Sequence, residues 1–174
     1  MRAVLDAGPL IRLAQTGLLD KIRVFYDECL VPRAVYDEVV VEGLEKGYGD
    51  ARVSKAAVDG GVLVVGEAPM ESVEAVKRVE ERLGVQLGAG ERQVIALARG
   101  AVFLTDDETA YQVARVLGSE ARGSLYLLLR MVSEGLISSG EASAALNVMI
   151  EAGFWLSPRL VHEFHNRLNE MKPG

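Results

Sequence analysis

The amino-acid sequence predicts an α/β protein: a mostly parallel sheet with helices packed on both faces, followed by a helical C-terminal third. Two observations carry this. Up to about Gly123, short aliphatic or β-branched runs alternate with longer amphipathic stretches, the pattern of strands joined by crossover helices. Beyond Gly123 the chain reads as helices broken at Gly135 to Gly140 and at Gly153. With 174 residues, 49% hydrophobic and 25% charged, the chain has the length and composition of a globular protein with a real core. The expectation is one domain over 1–174, with 123–174 a helical extension packed on it.

Taken in order, Arg2–Leu5 reads as the first strand. Gly8-Pro9 then starts a helix carrying Leu10, Ile11, Leu13 and Ala14, with Pro9 at the first position, where its missing N–H costs nothing. Gly17 ends it, and Leu18–Tyr26 forms a second short helix. Cys29–Val31 is a strand, and Pro32 opens a longer helix to about Lys46, stopped by Gly47-Tyr48-Gly49. Val62–Val65 is the next strand. Met70–Leu83 places Val73, Val76, Val79 and Leu83 on one helical face, and Glu74 can pair with Lys77 or Arg78. Gly88-Ala89-Gly90 leads into a helix over Glu91–Arg99, Ala101–Thr105 is a strand, and the chain turns helical again through Leu117.

Charge and cysteine content narrow the function classes. The net charge of −6 argues against broad attraction to phosphate backbones, yet leaves room for a local basic track. An acid cluster that holds metal ions also gives an acidic count. No apolar run approaches the ~20 residues of a membrane helix, and no signal peptide precedes the first strand, so a cytoplasmic protein is expected. The single cysteine, Cys29, lies among apolar neighbours and reads as a buried thiol.

Five carboxylates stand at junctions: Asp6 after the first strand, Glu38 in the Pro32 helix, Glu91 at a helix start, and Asp106-Asp107 after the fourth strand. Singly, each has a routine role as a helix cap or as compensation for a helix dipole. Together they place acids at several strand ends, and converging carboxylates need a compensating charge. Glu91 heads the apolar stripe of Val94, Ile95 and Ala98, which aims it at the buried face. Hard oxygen donors without neighbouring Cys or His suit Mg²⁺ or Mn²⁺ and argue against zinc. Periodicity does not separate Asp37 from Glu38.

These segments resemble the PIN domain family, in particular the small prokaryotic branch related to VapC-type toxin ribonucleases. The matching pieces are Leu5-Asp6-Ala7-Gly8-Pro9-Leu10-Ile11, Val31-Pro32 with Glu38-Val39, Gly88-Ala89-Gly90-Glu91, and Leu104-Thr105-Asp106-Asp107 with Ala114 and Leu117-Gly118. They occur in the family's order. The resemblance implies an α/β/α sandwich with Asp6, Glu38, Glu91 and Asp107 as metal ligands at the C-terminal edge of the sheet. In the family's Thr-Asn-Asp pattern the acid follows the threonine by two residues, which is Asp107; Asp106 takes the Asn place as a substitute or water-holding partner. Thr105 is placed to hydrogen-bond a ligand carboxylate or a phosphate, or to cap its strand. The implied activity is endonucleolytic hydrolysis of RNA with Mg²⁺ or Mn²⁺, in a protein that is the toxin of a toxin–antitoxin pair, with an antitoxin partner and a homodimeric state. The alternative is a PIN-fold module of little or no activity that binds RNA or protein. A phosphatase with an Asp nucleophile is disfavoured, because Asp6-Ala7-Gly8 stands where Asp-x-Asp is needed.

Other features have plain readings. His162 and His165 are three apart, not the four of a helical zinc pair, and read as a surface pair. Gly88-Ala89-Gly90 lacks the Lys-Ser/Thr of a P-loop. Phe154-Trp155 suits a core or interface role better than base stacking. Arg12, Arg92, Arg115 and Arg122 lie near the motifs and suit phosphate contacts or ordinary pairing equally.

Overall fold

A computed structural model describes residues 1–171. Five strands, β1 (Arg2–Leu5), β2 (Glu28–Pro32), β3 (Val64–Gly66), β4 (Val102–Leu104) and β5 (Glu120–Arg122), form one sheet in the order β3-β2-β1-β4-β5. Every pairing is parallel. A parallel sheet is buried on both sides, which explains why Ala3, Val4 and Leu5 and again Val102, Phe103 and Leu104 are apolar without alternation.

The connections are helical. Between β1 and β2 lie α1 (Ala7–Gln15) and a 3-10 segment, Leu19–Val24. Between β2 and β3, α2 (Arg33–Tyr36) runs through a π-helical stretch, Asp37–Glu42, into α3 (Gly43–Glu45), and α4 (Gly49–Asp59) follows. Then α5 (Met70–Leu83) and α6 (Ala89–Leu97) cross back to β4, and α7 (Glu108–Val116) leads to β5. Helix α1 packs on α4, whereas α5, α6 and α7 pack on one another. Right-handed crossovers put these two groups on opposite faces, since the chain travels outward from β1 in one direction and returns in the other. The α/β class with a parallel sheet is therefore present.

Several boundaries differ from expectation for local reasons. Asp6 caps α1, so Pro9 falls at the third helical position, still within the turn that lacks intrahelical N–H partners. The Pro32 helix begins at Arg33, with Pro32 closing β2. Cys29 is buried, and burial pushes its thiol up to about 11, which disfavours the thiolate and agrees with a buried structural thiol.

The chain divides into two compact units, Met1–Gly123 and Ser124–Gly174. The second contains α8 (Ser124–Ser133), α9 (Ser139–Glu151) and α10 (Pro158–Glu170), which pack on each other. The expected extension to 174 lies outside the described residues for 172–174. Ser138 and Glu141 form a reciprocal cap at the start of α9. His165 Nδ1 lies 3.3 Å from Ser143 Oγ, and Trp155 is 84% exposed rather than core. Among the described residues, no helix is long and apolar enough to cross a membrane.

Candidate metal centre

The strand order reverses between β1 and β4, the place where open parallel sheets form ligand crevices at the carboxyl ends of their strands. Asp6 and Thr105 follow these two strands directly. Leu5 and Leu104 are in register, and the Asp6 N–H donates to the Leu104 carbonyl at 2.9 Å, so the two loops leave the sheet side by side.

A short hydrogen-bond chain crosses that seam. The Asp107 N–H donates to Thr105 Oγ1 at 3.1 Å, and Thr105 Oγ1 donates to Asp6 Oδ2 at 2.9 Å. Asp6 Oδ1 accepts from the Ala7 N–H at 2.8 Å. Thr105 is buried, so its single O–H is committed to the carboxylate. Asp107 Oδ1 caps α7 through the Ala110 N–H at 2.7 Å, and Glu91 Oε2 accepts from the Gly88 N–H, 2.5 Å away, at the start of α6. The routine capping roles are thus real. They coexist with convergence, because the three helix N-termini supply partial positive charge to the acids they hold.

Convergence is visible in the electrostatics of Asp6. Burial raises its carboxyl above the ordinary value; the Thr105 and Ala7 hydrogen bonds oppose this, and the negative charges of Glu91 and Asp107 raise it further. Asp6, Glu91 and Asp107 therefore share one electrostatic neighbourhood. Glu38 does not enter it: it is exposed on the π-helical stretch, and its charge falls on Lys46. Its neighbour Asp37 lies 3.9 Å from Arg33 and faces a cleft near β3.

Asp106 has a different task. Its Oδ2 accepts from Arg12 Nη1 at 3.0 Å, with the two side chains only 11% and 20% exposed. Arg12 folds back along α1 over Gly8, where a Cβ would stand 2.5 Å from Nη1, and a Cβ on Gly123 would stand 3.0 Å from Asp106 Oδ1. Two glycines leave room for this ion pair. Arg92, in turn, serves Glu80: Nε donates to Oε2 at 2.6 Å and Nη2 to Oε1 at 3.2 Å, while the Leu87 N–H donates to Oε1 at 2.7 Å. Glu80, on α5, thereby ties the α5 end to the α6 start beside Glu91. Nothing in the spacing marks it, since its partners lie seven and twelve residues away.

Among the described residues, no three His, Cys, Asp or Glu groups stand at ion-holding spacing. The donor set nonetheless fits a hard divalent cation. Asp107 Oδ2 and Glu91 Oε1 accept no hydrogen bond among the described residues, and the Asp6 carboxyl, raised first by burial and then by the Glu91 and Asp107 charges, is one whose ionised form a cation would favour.

The profile of the PIN domain family matches residues 2–170. The chain belongs to the PIN domain family. No curated protein matches it. This PIN protein is similar in fold to VapBC2 from Rickettsia felis, solved bound to a DNA fragment from their promoter, with a TM-score of 0.56, 10% identity, and 71% of this chain and 98% of that one covered. It is also similar to VapBC-1 from nontypeable Haemophilus influenzae, with a TM-score of 0.53, 15% identity and the same coverages, 71% and 98%. At such identities the likeness establishes the PIN fold, and the resemblance found in the sequence is confirmed at the level of family.

Proposed function

We propose that this PIN protein is a divalent-metal-dependent endoribonuclease, with Asp6, Glu91 and Asp107 as the acids that gather the cation; Glu38, which the family resemblance makes a fourth ligand, would have to reach it from the exposed π-helical stretch. The observation that supports it most is the electrostatic convergence of Asp6, Glu91 and Asp107 at the switch point of the sheet. A divalent ion bound there supplies a water of lowered pKa and a clamp on phosphate oxygens. The chain's own groups do the positioning. Thr105 fixes Asp6 Oδ2 and thereby the orientation of the carboxylate; the caps on α6 and α7 fix one oxygen each of Glu91 and Asp107 and leave the other without a hydrogen bond among the described residues.

Replacing Asp6 or Asp107 by Asn should abolish Mg²⁺- or Mn²⁺-dependent cleavage of single-stranded RNA while circular dichroism shows an intact fold. Undiminished cleavage by both variants would sink the assignment. The proposal includes the role of toxin paired with an antitoxin, supported by the VapBC proteins that share the fold, and a homodimeric state, which rests on the family resemblance alone. The alternative, a binding module of little activity, is favoured by the exposed position of Glu38 and the spacing of the acids. Calorimetric titration with Mn²⁺ separates them: no carboxylate-dependent binding at millimolar metal supports the module.

A further inference from the structure

A second recess opens on the same edge of the sheet, beyond β2 and β3. Pro32 and Gly66 are paired at the ends of these strands, and the residues that follow them, Arg33 and Ala34 on one side and Glu67 and Ala68 on the other, line a cleft of about 420 Å³. Asp37, Met70 and Gln93 complete it. That volume falls in the range of about 300–1,000 Å³ used for small ligands. Parallel strands lie about 5 Å apart, so the cleft is one to two strand spacings, roughly 5–10 Å, from the β1 end that carries Asp6.

The lining is chemically mixed in a particular way. The Arg33 guanidinium lies over the Tyr36 ring at 5.5 Å, with Asp37 3.9 Å away, and offers its other face as a platform. Met70 is 76% exposed and offers a polarizable apolar contact. Among the described residues, the side chains of Asp37, Glu67 and Gln93 engage in no hydrogen bond, so acceptors predominate around the rim. Two carboxylates and one arginine give the cleft a net negative charge, which is unfavourable for a phosphate. It suits a planar, uncharged group that presents donors. Among nucleobases, guanine carries adjacent N1–H and N2–H donors that a carboxylate can accept in pairs, and unpaired RNA bases are commonly stacked on guanidinium planes and read on that edge.

We propose that this cleft is a base-recognition subsite that takes one unstacked guanine of a single-stranded RNA, with Arg33 as the stacking platform and Glu67 and Asp37 as acceptors for its Watson–Crick edge. The inference rests on the nuclease reading for its substrate class and goes beyond it by assigning a base preference to residues outside the acid site. A guanine seated there leaves a neighbouring phosphate one nucleotide away, over Asp6 and Glu91.

The test is fluorescence anisotropy with the Asp6→Asn protein and two labelled RNA heptamers, all-uridine and the same sequence with one central guanosine. The guanosine oligomer should bind at least roughly tenfold more tightly, the scale of one bidentate base contact. Substituting inosine, which lacks the N2 amine, should remove most of that preference, and so should Glu67→Gln combined with Asp37→Asn. These side chains are exposed, so the double variant should keep its melting temperature. Equal affinity for the two oligomers, or a preference that survives the double variant, would overturn the subsite. Cleavage by the unmodified protein with Mn²⁺ is measured alongside. RNA cut without base preference would leave the nuclease reading standing and the subsite refuted; guanosine preference without cleavage would do the reverse.

Discussion

Thr105 Oγ1 donates to Asp6 Oδ2 at 2.9 Å, joining the ends of β4 and β1 across residues ninety-nine positions apart in the chain. Thr105 receives the Asp107 N–H in the same way, so one buried hydroxyl couples two acids of the site. Thr105→Val keeps the shape and removes both functions. Because the hydroxyl holds the Asp6 carboxyl down against burial, its loss should raise that carboxyl further. The acid limb of the pH–rate profile for RNA cleavage should move to higher pH, and metal affinity should fall about 10–100-fold, as for other groups that orient a ligand from behind. An unmoved acid limb would mean that the hydroxyl serves only the strand end.

Asp6 should be a destabilising residue in the absence of metal. Its carboxyl is raised above the ordinary 3.8, so the folded protein holds the proton more tightly than the unfolded chain does. Stability is lost as pH rises from that value through the folded-state value, and the deficit is fully present at neutral pH. In EDTA, Asp6→Asn should therefore melt above the unmodified protein, each kcal/mol appearing as about 2–4 °C. Added Mn²⁺ should raise the melting temperature of the unmodified protein and leave the variant unchanged. Differential scanning calorimetry with and without metal checks both; a variant that melts lower in EDTA would contradict the electrostatic account.

The sequence exposes the site better where it depends on strand ends than where it depends on side-chain partners. Asp6 and Thr105-Asp106-Asp107 follow aliphatic runs that are buried on both faces, a pattern readable from residue type alone. Helix α5 was legible for the same reason, with Val73, Val76 and Val79 buried at helical spacing. Helix α4 was not, because only Ala51 and Ser54 of its residues are buried and no apolar stripe announces it. Strand β5 is three residues, Glu120–Arg122, with one buried side chain, held at the sheet edge by β4 rather than by its own composition. What sets Asp106 apart from Asp107 is Arg12, which engages Asp106 from 94 residues away. Gly8 reads in the sequence as part of a helix start; in the fold it also leaves room for that guanidinium.

Glu80 should govern acid stability in the first unit. Burial works to raise its carboxyl, but the hydrogen bonds from Arg92 and the Leu87 N–H, with the Arg92 charge, outweigh this and leave it below the ordinary 4.5. Such a group contributes stability that is present above 4.5 and is lost as pH falls through its folded-state value. Glu80→Gln should lower stability at pH 7 by about 2–4 kcal/mol, since it leaves Arg92 without its bidentate carboxylate. It should also flatten the loss of stability in acid. Urea unfolding at neutral and acidic pH measures both, and a parallel offset of the variant from the unmodified protein at every pH would show that Glu80 does not titrate in this window.

Gly8 and Asp106 should act on stability as one unit. A Cβ at Gly8 would meet Arg12 Nη1 at 2.5 Å, so Gly8→Ala must displace the guanidinium that Asp106 accepts from, and the pair is expected to be weakened or lost. The flexible end of Arg12 yields easily, so the cost is that of the lost ion pair rather than of a backbone shift. Asp106→Asn weakens the same pair from the other side, and each single change should cost about 1–3 kcal/mol. Residues that share a partner are not additive. The double variant should therefore be destabilised by little more than either single one, as read from urea midpoints with unchanged slopes. Additive costs would show that Gly8 serves the start of α1 and not the Arg12–Asp106 pair.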